Sequence, residues 1–95
     1  MRLVFRVEAT ADLRRIAAET RSAWGEDQAK RCVSTLRNEI KSLVQFPQRY
    51  PEFEPRPGLR RINSGRHAVI CLVQDERIEV VRILHYRMDI DAQLA

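Results

Sequence analysis

The sequence is poor in most of the features that mark specialised protein classes. It holds only two lysines, Lys30 and Lys41, three glycines, two cysteines, and aromatic residues at 6%. No apolar run approaches the roughly 20 residues a helix needs to cross a bilayer. The apolar stretch near the N-terminus is interrupted by Arg2 and Arg6, so it does not read as a secretory signal. Cys32 and Cys71 lie far apart inside apolar patterns, without CxxC or Cys/His spacing. That argues against a disulfide framework or a zinc motif, and both thiols are expected as small buried hydrophobes in a reducing cytoplasm. No cofactor or metal is expected, and no internal repeat or low-complexity segment is present.

What is present is arginine. Of 17 basic residues, all but the two lysines are arginines, and the formal charge is +4. Residues 1–55 hold ten basic and eight acidic groups, net +2; residues 56–87 hold seven arginines against Asp75, Glu76 and Glu79, net +4. Positive charge is therefore concentrated on the second half. An anionic partner, nucleic acid or an acidic protein segment, is the expectation. A solvated basic face with no specific partner fits the same charges.

At 95 residues the chain is expected to form one domain, residues 1–95, near the small end of those that fold on a single core. Leu3-Val4-Phe5 with Val7 predicts a short strand, ended by Glu8-Ala9-Thr10, with Thr10 or Glu8 available as a helix cap. Ala9, Leu13, Ile16, Ala17 and Trp24 follow the three-and-four spacing of an amphipathic helix, in which Trp24 is expected to pack. Gly25 breaks that helix, and Glu26-Asp27 opens a second one with acids in its first turn. On it, Ala29, Cys32, Val33, Leu36, Ile40, Leu43 and Val44 share one stripe, while Lys30, Arg37, Asn38 and Lys41 lie off it. The two helices predict an antiparallel αα-hairpin.

Phe46-Pro47 closes the second helix, since proline disfavours helical geometry in the residue before it. All four prolines, Pro47, Pro51, Pro55 and Pro57, fall in the next stretch, which reads as an ordered surface loop anchored by Tyr50 and Phe53. Leu59–Asn63 is a short strand, Asn63-Ser64-Gly65 a turn, and His67–Val73 a strand apolar enough to be buried on both faces. Gln74–Arg77 is a polar hairpin connection. Ile78–Leu84 is the longest β-branched run and the expected central strand, leaving through His85-Tyr86-Arg87-Met88-Asp89. The tail beyond Asp89 suits a short helix or a frayed end.

The expected class is α+β: a two-layer β-α-α-β-β-β domain whose antiparallel sheet packs against the helical hairpin, the first strand joining an edge of the three-strand meander. The other face or rim of the sheet would carry Arg60, Arg61, Arg66, Arg82 and the His85–Arg87 tail, a candidate binding face of Arg60, Arg61, Arg66, Arg82, His85 and Arg87.

The ordered set Ala9-x-x-Asp12-Leu13-x-x-Ile16, Gly25 with Ala29 and the stripe to Leu43, Phe46-Pro47, Pro51, Gly58-Leu59-Arg60 and Ile83-Leu84-His85-x-Arg87-x-Asp89 resembles the RelE/ParE superfamily of bacterial toxins. The likeness spans nearly the whole chain and is greatest to the ParE-like branch. It implies a cytoplasmic toxin of a type II toxin–antitoxin module, with a cognate acidic antitoxin encoded in the same operon. Such an antitoxin carries a DNA-binding part and a C-terminal segment that wraps the toxin, so the toxin meets operator DNA only through it. ParE-like members are described as inhibitors of DNA gyrase, which would then be the target. RelE-like members cut mRNA in the ribosome.

Ribonuclease chemistry needs a group to activate a 2′-hydroxyl, cations for the phosphate and a donor for the leaving oxygen. The catalytic set for that alternative is Arg61, Arg66, Arg82, His85 and Tyr86, expected near one strand end, with Tyr86 a surface for stacking a base. Against it, the predicted strands contain no lysine, and the ParE-like reading leaves the chain with no catalytic residues. His85, Arg87 and Asp89 could also serve only to hold the chain end. A third reading is an inactive member that binds antitoxin and does nothing else.

Overall fold

The computed structural model describes residues 2–46, 49–52, 56 and 58–94. In chain order the elements are β1 (Arg2–Phe5), α1 (Val7–Trp24), α2 (Glu26–Gln45), β2 (Leu59–Ser64), β3 (His67–Val73), β4 (Arg77–His85) and α3 (Ile90–Leu94). This is the expected β-α-α-β-β-β order, with the tail forming a short helix. Among the described residues no helix is long and apolar enough to cross a membrane.

The strands lie in the order β1-β4-β3-β2, so β4 is flanked on both sides. The β2–β3 and β3–β4 pairs are antiparallel, but β1 pairs with β4 in parallel, from Arg2 opposite Arg77 to Phe5 opposite Val80. The sheet is therefore mixed, where a purely antiparallel one was expected. The reason lies in the return path. The hairpin brings the chain back up beside β1, and Glu52 then bridges Arg60 at the outer edge of β2 in antiparallel fashion, heading down. That makes β2, and two reversals later β4, run the same way as β1.

α1 starts earlier than its apolar spacing suggests, at Val7. Arg6 is extended (φ −66°, ψ 156°) and takes the cap position without a side-chain bond, so neither Glu8 nor Thr10 caps the helix. Gly25 joins α1 to α2 directly. Its φ of 95° lies in a region that costs a side chain dearly and glycine little. Its N–H donates to the Arg21 carbonyl at 2.9 Å and its own carbonyl accepts from Ala29 at 3.1 Å, closing one helix and opening the next.

Ala9, Leu13, Ile16, Leu36, Ile40 and Leu43 of the helices meet Ile62, Val69, Cys71, Ile78, Val80 and Ile83 of the sheet in one core, with Cys32, Val33 and Val44 packed at its margin. The α2 stripe is thus as its spacing predicts, and Lys30, Arg37, Asn38 and Lys41 are exposed. Tyr50 also packs on this core; Phe53, Pro47, Pro55 and Pro57 lie outside the described residues. The second face of the sheet is not bare. Ala68, Ile70, Val81 and Leu84 form a smaller cluster beneath Ile90, with Leu94 against it. Arg56 ties α3 down by donating from Nε to Asp91 Oδ1 at 2.6 Å.

Trp24 does not pack: it is 72% exposed. From Arg21 to Gln28 every residue is exposed, because the hairpin tip extends past the end of the sheet and has nothing to pack against. The amphipathic spacing gives the side on which Trp24 lies, not how far the sheet reaches.

Candidate functional site

Two neighbouring regions hold the polar chemistry. The first is the edge of β4 beyond β1. β1 ends opposite Val80, and there the β3–β4 register slips, Ile70 facing Arg82 and Cys71 facing Val80, so that Val81 is an extra bulged residue. Past this point β4 has α1 beside it in place of a strand. The Ile83 N–H, which a neighbouring strand would otherwise accept, donates to Asp12 Oδ2 at 2.9 Å. Arg82 clamps the same carboxylate with two bonds, Nε to Oδ2 at 2.7 Å and Nη2 to Oδ1 at 3.0 Å, and Arg15 adds a third cationic contact at 3.1 Å.

Asp12 is 3% exposed, so an unpartnered charge there would be costly. Burial pushes its carboxyl up, but the Arg82 and Ile83 hydrogen bonds and the charges of Arg82 and Arg15 outweigh that, and its pKa lies below the usual value. The same hydrogen bond raises Arg82. Asp12 thus seals an open sheet edge, a role the sequence reading assigned to no residue. The signal was available: Asp12 sits three residues after Ala9 and four before Ile16, on the buried row of the helix, where a charge requires a partner.

The second region is the sheet end where β4 leaves. His67 and His85 face each other across β3 and β4, their rings edge to face with centroids 6.2 Å apart. The Tyr86 N–H donates to the Arg66 carbonyl at 2.9 Å, pinning the β4 exit to the β2–β3 turn. The Tyr86 ring stacks on His85 at 4.9 Å, and Arg87 lies over Tyr86 at 5.5 Å while donating to its hydroxyl. His85 Nδ1 accepts the Arg87 N–H at 3.2 Å, which requires that nitrogen to be unprotonated. Burial lowers the pKa of His67, as do the charges of His85 and Arg15, with Glu19 acting in the opposite sense.

This end therefore gathers Arg66, His85, Tyr86 and Arg87. The other arginines named from the sequence lie elsewhere. Arg82 is held by Asp12. Arg61 faces the second side of the sheet, opposite Ile70, and donates to Asn63 Oδ1 at 2.9 Å. Arg60 faces the helical side, opposite Cys71, and donates to the Tyr50 carbonyl at 2.5 Å. The five groups of the nuclease set do not converge, and the six of the binding face are divided between the two sides of the sheet. Cys71 is fully buried, its thiol pushed up to about 12 by burial, and Cys32 is half-buried. Among the described residues no three His, Cys, Asp or Glu side chains are placed to hold a metal.

A helical hairpin on one side of a four-stranded mixed sheet is an α+β arrangement that this chain shares with solved toxin structures. A solved chain of the chromosomal ParDE toxin–antitoxin system from P. aeruginosa superposes with a TM-score of 0.80 over 90% of this chain and 95% of that one, at 24% identity. The YoeB/ParE toxin from Agrobacterium tumefaciens gives a TM-score of 0.65 over 90% and 99%, at 16% identity. At those identities the likeness is one of fold.

Sequence comparison goes further. The family described as ParE toxin of type II toxin-antitoxin system, parDE, matches residues 3–90. Toxin ParE1 of Mycobacterium tuberculosis is 38% identical over 89 residues, 90% of each chain. Toxin ParE of Escherichia coli is 37% identical over 94 residues, covering 97% of this chain and 91% of its own. The chain belongs to the ParE family of toxins from type II toxin–antitoxin systems, and membership implies a cognate antitoxin as partner.

Proposed function

We propose that this toxin acts by binding DNA gyrase rather than by cutting RNA, and that an acidic antitoxin from the same operon neutralises it in the cytoplasm and carries it to operator DNA. The dispersal of the arginines supports this reading most. A nuclease would need Arg61 and Arg82 beside His85, yet Arg82 is bound by a buried carboxylate and Arg61 faces the far side of the sheet. The surface at the β4 exit, with Arg66, His85 and Arg87, suits binding better than acid–base work, since His85 is occupied by Tyr86 and by its own turn. A supercoiling assay with purified gyrase is the test. Inhibition at stoichiometric toxin, relieved by the antitoxin, is expected; undiminished supercoiling at large excess rejects the target.

One observation favours a second reading as a ribosome-dependent mRNA endonuclease: His85, Tyr86 and Arg66 do share one strand end. Toeprinting on translating ribosomes separates the two. Cleavage lost in His85→Ala would establish the nuclease, and absence of cleavage beside gyrase inhibition would remove it. Growth without the antitoxin separates both from an inactive member, which would be harmless.

A further inference from the structure

The overhanging hairpin tip and the sheet end enclose a groove of about 890 Å³. The helices give it Trp24 and Arg31, the sheet end Arg66, His67 and His85, and Tyr86 continues its rim through the stack on His85. The charge is one-sided. Glu19 is the only carboxylate among the described lining residues, and it already faces Arg15 at 3.7 Å. Arg31 donates to Gln28 Oε1, and neither it nor Arg66 has a carboxylate partner among the described residues. The Trp24 ring is open, 72% exposed, while Tyr86, stacked on His85 and overlain by Arg87, keeps 43% of its surface in solvent.

Flat exposed rings beside unneutralised arginines are the means by which proteins hold unpaired bases and their phosphates. We infer that this groove binds single-stranded nucleic acid, with phosphates on Arg31 and Arg66 and a base stacked on Trp24, the edge of the His85–Tyr86 stack bordering its neighbour. An acidic protein segment would satisfy the same charges, but an amphipathic one also needs a continuous apolar floor. Here the aliphatic floor is weak, since Leu36 is only 1% exposed and Cys32 half-buried, whereas the Trp24 ring is 72% exposed. A duplex could not use that ring, because its bases are already stacked. The inference is independent of the gyrase assignment and involves no bond cleavage.

Trp24 is the one tryptophan in the chain, so its emission reports on the groove directly. The full-length toxin is titrated with short oligothymidylate and oligouridylate, following indole emission and oligonucleotide anisotropy together. Quenching that tracks the anisotropy rise is expected, with a log–log salt slope of about −1.4 for two phosphate contacts. Trp24→Ala should weaken binding about ten-fold, and the pair Arg31→Glu with Arg66→Glu should abolish it. All these side chains are exposed, so thermal melts should match the parent and show that folding is intact. Preference for the DNA or the RNA oligomer identifies the polymer, and either supports the inference. It is overturned if neither oligomer changes the emission at millimolar concentration, if Trp24→Ala binds as well as the parent, or if a polyglutamate peptide quenches the indole where oligonucleotides do not.

Discussion

Near its base, α1 lies against β4 and buries Ala9, Asp12, Leu13 and Ile16; at its tip, every residue from Arg21 to Gln28 is exposed. The two regions belong to one continuous hairpin and differ in what the sheet offers them. At the base, a strand edge and an apolar face are both present, and even the polar groups are consumed in satisfying them: Asp12 is spent on Arg82, Arg15 and the Ile83 N–H. At the tip, the sheet has ended, and Trp24, Arg31 and the facing Arg66 are left in water. Stability and recognition are thus separated along the helix axis. A substitution should therefore act on one or the other.

The largest effect is expected at the base. Asp12→Ala leaves the Ile83 N–H without its acceptor and the Arg82 guanidinium without its partner, and it should cost about 3–5 kcal/mol by denaturant unfolding. Asp12→Asn retains an acceptor for Ile83 while losing the charge, and should fall between that variant and the parent. Ile40→Ala, a cavity in the same core, should cost about 2–5 kcal/mol. If Asp12→Ala unfolds within about 0.5 kcal/mol of the parent, the carboxylate is not sealing the edge and the contrast between base and tip fails.

How much of this was legible in the residues depends on the range of the interaction. The α2 stripe from Ala29 to Val44 was readable because burial repeats with the helix period, and β3 because an unbroken apolar run suits a strand covered on both faces. Gly25 was readable as a break because few other residues adopt its backbone. The direction of β1 was not, since a strand's composition is the same in parallel and antiparallel pairs. The Asp12–Arg82 clamp joins groups 70 residues apart, beyond any local pattern. As a result Arg82 was counted with the binding arginines, though the fold keeps it. Trp24 was placed on the correct stripe of α1, but the stripe outlasts the sheet.

Acid should weaken the fold in two separable stages, each smaller than the loss in Asp12→Ala. His67 has a depressed pKa in the folded protein, with burial the main cause. An unfolded imidazole takes its proton near pH 6.5, so below that the unfolded state binds more protons and stability falls as pH falls through the folded pKa of His67. Asp12, also depressed, contributes stability that is full above about pH 3.9 and is lost as pH drops through its folded value. Calorimetric melts from pH 7.5 downward should show the first stage flattened in His67→Asn and the second in Asp12→Asn. If His67→Asn leaves the upper stage unchanged, the His67 imidazole is not its source.

The smallest effect on stability is expected where the sequence pattern promised a core residue. Trp24 was placed on the packed stripe of α1, and a packed tryptophan truncated to alanine costs about 3–5 kcal/mol. With 72% of it in solvent, Trp24→Ala should change unfolding free energy by no more than about 0.5 kcal/mol, and Arg66→Glu likewise, since neither removes a buried contact. Equilibrium denaturation of both variants against the parent checks this. A loss of several kcal/mol in Trp24→Ala would mean that the tip folds onto the sheet in solution and that the groove is closed. A neutral result would show that Trp24 adds nothing to the fold and that its ring is open to whatever the tip contacts.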